Sequence, residues 1–140
     1  MARPATFDRV DRVKRVAGQP VLPGDENFWI LGDDLQARIN AWTCVVPRGF
    51  TTDGASIPHL GQWLTGWKPW DEPQRLPAIV HDWLYCRQDT VKPYSDRVFR
   101  ALLKSEGASW FRRNAMYGAV VVGGWPAYYS DQANGPLIFT

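Results

Sequence analysis

From residue 77 onward the apolar positions fall into three runs of helical spacing, separated by residues that stop helices. Pro77 opens the first, where its missing N–H costs least, and the run extends to about Gln88. Ile79, Val80, Trp83 and Leu84 are spread around its axis, so this helix is expected to be buried nearly all round. Within it His81 and Tyr85 stand four apart and share a face, while Asp82 sits about 100° round the axis. After a loop at 89–94, Ser95 is the expected N-cap of a second helix. Val98, Phe99, Leu102 and Leu103 form its apolar stripe and Gly107 ends it. Ser109 caps a third, with Phe111, Ala115, Met116, Ala119 and Val120 inward and Gly123-Gly124 at its end.

The N-terminal half reads differently. Residues 28–31 look like a strand and Gly32-Asp33-Asp34 like a turn. Residues 35–46 alternate (Leu35, Ala37, Ile39, Ala41) as a strand pairing back in a hairpin, until Pro47 ends it. Residues 1–26, with Pro4, Gly18, Pro20, Pro23 and Gly24, read as an extended or short helical arm followed by a loop. From 48 to 77 glycines and prolines recur, with room for a short helix near 60–64. A loop of that length in a compact domain points to function or binding. Residues 125–140, with Pro126, Gly135 and Pro136, read as a tail laid over the body. The expectation is one mainly α domain over 1–140: an arm (1–26), a β-hairpin (27–47), a loop plus a three-helix core (48–124) and a tail (125–140).

Composition sharpens this only in places. A chain of 140 residues with 45% hydrophobic and 21% charged residues is an ordinary globular balance. A net charge of +2 gives no footing for a nucleic-acid partner. Eight Trp is high for this length, and Trp63, Trp67 and Trp70 fall in one stretch, suited to packing or to a lipid headgroup layer. Two cysteines, Cys44 and Cys86, form no disulfide framework and no CxxC metal spacing. The charged residues of 1–16 leave no apolar signal-peptide core, and the run 119–122 is far too short to span a bilayer. A soluble protein without a transmembrane segment is expected, leaving its cell of synthesis only by lysis or inside a particle.

Three elements carry chemistry. His81-Asp82 sits in a helix otherwise made of Ala, Ile, Val, Trp and Leu. Burying such a pair is costly unless both are hydrogen-bonded or bind an ion; the plainer reading is a satisfied core histidine beside an acid that favours the helix dipole. The loop of residues 49–58 sets Asp53 beside Gly54, a carboxylate next to a glycine that permits unusual backbone angles. Hard cations take such carboxylates together with backbone carbonyls, although an ordinary Asx-type turn also uses an Asp there. Asp96, near the start of the second helix, could accept the His81 N–H and fix the tautomer a general base needs.

In order, VPRGFTTDGASIP, AIVHDWLYCRQ, YSDRVFRALL and NAMYGAVVVGG resemble a family of phage and prophage proteins with the signature GF-x-TD-x-ASIP followed by HD-x-LY. The likeness covers roughly residues 45 to 124. More distantly the order is similar to the small bacterial and fungal secreted phospholipases A2. That resemblance implies a phospholipase A2-like three-helix core. It gives His81 as general base, Asp96 as the acid that orients it, Tyr85 as a network tyrosine and Tyr117 as the catalytic family's third-helix tyrosine. It gives Asp53, the Gly54 carbonyl and Asp82 as ligands of Ca2+. Ala55 stands where the calcium loop of the secreted enzymes has a cysteine, and the cysteine before their His-Asp is also missing.

The function implied is a phage-encoded, Ca2+-dependent lipid ester hydrolase acting at a phospholipid or membrane surface through a His-Asp dyad and an activated water. The competing expectation is a non-catalytic virion or assembly component, partnered with phage structural proteins, that keeps the fold. A metal-dependent peptidase is a third reading, for which His81 lacks a second histidine at ligand spacing. Host cytoplasm or the phage virion is the expected location.

Overall fold

The computed structural model describes residues 6–9, 13–15, 29–31, 34–39, 42–52, 73–87, 89–136 and 138. The loop carrying Asp53 and Gly54, and the tryptophans at 63, 67 and 70, lie outside the described residues. The protein is mainly helical, with an antiparallel hairpin preceding the helices. Among the described residues its helices are α1 (Arg75–Cys86), α2 (Lys92–Ser105), α3 (Trp110–Gly123) and α4 (Trp125–Asn134).

Among the described residues six short strands come first: β1 (Thr6–Arg9), β2 (Val13–Arg15), β3 (Trp29–Leu31), β4 (Leu35–Ile39), β5 (Trp42–Val46) and β6 (Thr51–Thr52). The hairpin is β4–β5, with Leu35 opposite Val46 and Ile39 opposite Trp42. The expected partner for residues 35–46, the strand at 28–31, instead lies between β2 and β6 in a second sheet. Folding 35–46 back on itself buries Leu35, Ala37, Cys44 and Val46 together on one face, which alternation along one long strand could not do. The arm expected at 1–26 supplies β1, against β4, and β2, against β3.

Gly49 makes the turn into β6 possible. Its φ of 89° is open to glycine at little cost, and Phe50 N–H closes the turn on the Pro47 carbonyl at 3.1 Å. Phe50, fully buried, packs edge-on against Trp83 of α1 and so ties the strands to the first helix.

Helix α1 begins two residues before Pro77, which therefore falls in the first turn, where no N–H is needed. It is buried nearly all round, as its sequence predicts. Helix α2 begins at Lys92, three residues before the expected cap Ser95, because Pro93 fits the first turn of a helix. Ser95 is inside the helix and its hydroxyl bonds back to the Val91 carbonyl. At the other end Gly107, with φ 91°, lets Gly107 and Ala108 N–H return to the carbonyls of Lys104 and Leu103. That pattern ends the helix and turns the chain into α3. Ser109 caps α3 as expected, accepting from Arg112 N–H at 3.2 Å.

The expected tail is helical over residues 125–134. Pro126 and Gly135, which read as breakers, sit at the first turn and at the C-cap, where each is at home. Gly124 is the whole connection between α3 and α4. A side chain there would run into the Val120 carbonyl and the Tyr85 hydroxyl and press on the Lys92 Cε. Phe111, expected to face inward, is 66% exposed; Met116 and Val120 carry the inward face of α3. Those two join Ala78, Phe99, Leu103 and Ala108 in a second core between α1, α2 and α3.

Gly124→Ala should therefore lower stability by about 1–3 kcal/mol, the cost typical of overpacking. Gly118→Ala, with open space around the added methyl, should leave it unchanged or raise it by up to about 1 kcal/mol. Urea unfolding of both variants checks the pair.

Candidate functional site

Starting α2 at Lys92 places Lys92 and Asp96 four apart on one face, turned toward α1. Asp96, 1% exposed, accepts from three donors. Its Oδ1 accepts from His81 Nε2 and from the Tyr85 hydroxyl, each at 2.7 Å, and its Oδ2 accepts from Lys92 Nζ at 2.7 Å. Lys92 spends its other two protons on the carbonyls of Val120 (2.7 Å) and Val121 (3.2 Å) in the last turn of α3. That ammonium thus neutralises Asp96 and complements the C-terminal end of a helix dipole, with the Trp125 ring 4.9 Å away. Helices α1, α2, α3 and α4 all meet at these two charges.

The protonation states follow from the environment. Burial pushes the Asp96 pKa up, but the bonds from His81, Lys92 and Tyr85 outweigh it and hold the carboxyl below its ordinary range. Burial also pulls the His81 pKa down; the bond to Asp96 opposes this, Lys92 reinforces it, and the net direction is downward. Burial and the Asp96 contact raise the Tyr85 phenol, which stays a protonated donor. The pair is therefore a neutral imidazole on a carboxylate, and the buried ion pair is Lys92–Asp96. A carboxylate only accepts, so His81 Nε2 carries the ring proton and Nδ1 keeps a lone pair. Nδ1 is buried and has no hydrogen-bond partner among the described residues. The ring itself has no exposed surface and lies against Tyr85 and Phe99, with centroids 4.1 and 4.8 Å away.

Asp82 points to a different neighbourhood. One ligand atom each of Asp82, Cys86 and Asp131 lie within 4.8 Å of one another, joining α1 to α4. Two carboxylates suit a hard divalent cation, whereas the Cys86 thiol is a soft donor that Ca2+ does not use. Two carboxylates alone fall short of the six to eight oxygens that Ca2+ takes, so further oxygen ligands would be needed to complete a site there. Nearby, Gln132 of α4 donates to the carbonyls of Tyr85 and Arg87 (2.5 and 2.6 Å), occupying acceptors that the end of α1 leaves open.

Of the residues expected to act together, the structure joins His81, Tyr85 and Asp96. Tyr117 stands apart, its ring under the Arg100 guanidinium at 4.2 Å. Asp53 and Gly54 lie outside the described residues. Lys92 was missed by sequence reasoning, although its four-residue spacing to Asp96 was the available signal. Asp131 was missed because its helix was read as a tail.

Acid sensitivity follows from these shifts. Asp96, depressed in the folded state, contributes stability that is complete above its ordinary pKa of 3.8 and is lost as pH falls below it. His81, depressed from 6.5, resists protonation only when folded, so stability also declines as pH drops below about 6.5. His81→Gln should flatten the upper part of that decline in chemical denaturation series. Lys92→Met, leaving a buried carboxylate uncompensated, should cost about 3–5 kcal/mol, and Lys92→Met/Asp96→Asn should recover much of it.

Comparison with known proteins places this core in a family. An uncharacterised protein, y4iH of Sinorhizobium fredii (strain NBRC 101917 / NGR234), is 29% identical over 100 residues, 71% of this chain. The chain spans 41% of that relative's length. No solved structure matches. A family model described as "Protein of unknown function (DUF1353)" matches residues 29–120, from β3 to the buried Val120 of α3. The chain belongs to the DUF1353 family.

Proposed function

We propose that the protein is a phage-encoded lipid ester hydrolase of phospholipase A2 type, with water as its nucleophile and Ca2+ as its ion. The observation that carries the reading is the His81 Nδ1 lone pair, buried, without a partner among the described residues and fixed in that tautomer by Asp96. A buried acceptor left open is rare and needs a reason; a water awaiting deprotonation is one.

In this account a water donates to His81 Nδ1 and attacks an ester carbonyl as the proton moves to the ring. Asp96 keeps the resulting imidazolium in place through Nε2–H, while Tyr85 and Lys92 hold the carboxylate still. The depressed His81 pKa keeps the ring neutral, the form a base must have. A hard divalent cation held by the carboxylates of Asp82 and Asp131, and by Asp53 as the resemblance implies, would supply polarisation of the ester carbonyl when bound.

One observation favours the second reading, a virion or assembly component that keeps this network for stability. The His81 ring has no exposed surface, and a base must be reached by its substrate. The two readings part in one assay. Short-chain phospholipid with Ca2+ should be hydrolysed by the intact protein, with EDTA removing the activity and added Ca2+ restoring it. His81→Ala should lose about 10²–10⁴-fold. A folded protein that leaves every ester intact under all these conditions supports the virion component.

A further inference from the structure

The outward face of α3 is apolar and its flank is basic. Trp110, Phe111, Val121 and Val122 are 69%, 66%, 37% and 81% exposed. Trp110 and Val121 are eleven residues apart, as are Phe111 and Val122; eleven residues is about three whole turns, leaving roughly 20°. Both pairs therefore lie along one side of the helix, with exposed Gly118 between them and Asn114 as the polar residue on that side. Along the α2–α3 flank runs a groove lined by Arg97, Arg100, Lys104, Trp110, Arg113 and Asn114, with no carboxylate in its wall. Among the described residues none of these four cations is ion-paired to an acid. Arg100 lies on the Tyr117 ring and Arg113 reaches the Ala108 carbonyl, so two of the four are held in place by uncharged partners.

These cations are scattered along the sequence and carry no signal there. The α2–α3 packing gathers them beside a Trp. An apolar helix face bordered by Arg and Lys is the pattern of a helix lying in a membrane interface, and the basic border selects anionic headgroups. Among the described residues no helix is long and apolar enough to cross a membrane, so such contact would be made from the surface. Nucleic acid would use the same charges, but it has no use for Val121 and Val122, which sit at the far end of the stripe.

We propose that α3, with the basic groove beside it, docks on an anionic phospholipid surface. This goes beyond the hydrolytic reading: it names a face and a headgroup charge, and it stands whether or not His81 acts on the lipid.

The test is flotation of the full chain with vesicles of ether-linked phosphatidylglycerol or phosphatidylcholine in EDTA, where no ester can be cleaved. The intact protein should bind the anionic vesicles at least tenfold more tightly, and the preference should fade with added salt. Each basic side chain near such a surface strengthens binding roughly fivefold, so Arg97→Gln/Lys104→Gln should weaken it about 30-fold. Trp110→Ala should weaken it several-fold. All three positions are exposed, so thermal melting should stay close to that of the parent. Equal binding to both lipids, no binding to either, or a charge-deleted variant that binds as well as the parent overturns the proposal. So does capture of single-stranded RNA in preference to vesicles through these side chains, or burial of the α3 face in a dimer. Ester lipids left intact by a protein that floats with phosphatidylglycerol would sink the hydrolase alone.

Discussion

One buried carboxylate organises the helical half of this protein. Asp96 could not stay ionised in the interior without the three donors that surround it, and these donors tie it to the neighbouring helices. His81 and Tyr85 bind it to α1, and Lys92 passes the connection on to the end of α3. Removing a charge from such a cluster leaves its partner stranded, which is why buried ion pairs are costly to break even when their net contribution to stability is small. The packing answers the same constraint. Gly124 gives the Lys92 stem and the Tyr85 hydroxyl their room, and the α3–α4 junction has no side chain there because none would fit.

The same arrangement sets what the site can do. An ionised Asp96 fixes the proton on Nε2 of His81, burial keeps the ring neutral, and the remaining lone pair meets no donor among the described residues. Lys92 works against basicity by neutralising Asp96, so the ring is a weaker base than it would be on a lone carboxylate. Tyr85 works for precision, holding the oxygen that His81 uses. The network is therefore well ordered and only moderately basic. Both qualities fit a base that must be neutral at working pH, and rigidity alone also fits a scaffold.

Much of the helical half was legible in the chain. His81 and Tyr85 share a face by helical spacing alone, and Asp96 joins them as expected. Ser109 and Gly107 fall where capping chemistry puts them. What failed has local causes. Residues 89–94 read as a loop, yet Pro93 suits a first turn; the earlier helix start brings in Lys92 as the third donor. Pro126 was read the same way and concealed α4, and with it Asp131. Alternation in 35–46 shows which residues are buried but not where the chain reverses, so the hairpin partner was misassigned. Tyr117 was placed by resemblance, and no property of its own spacing tied it to Asp96.

The central claim concerns a single proton, and the ¹⁵N chemical shifts of the two His81 ring nitrogens read it directly. His59→Gln removes the chain's other histidine signal. The account requires a protonated Nε2 and a bare Nδ1, in a ring that remains neutral at pH 7 and titrates below 6.5. A proton found on Nδ1, or an imidazolium at neutral pH, would leave no base at this site and contradict the hydrolytic mechanism.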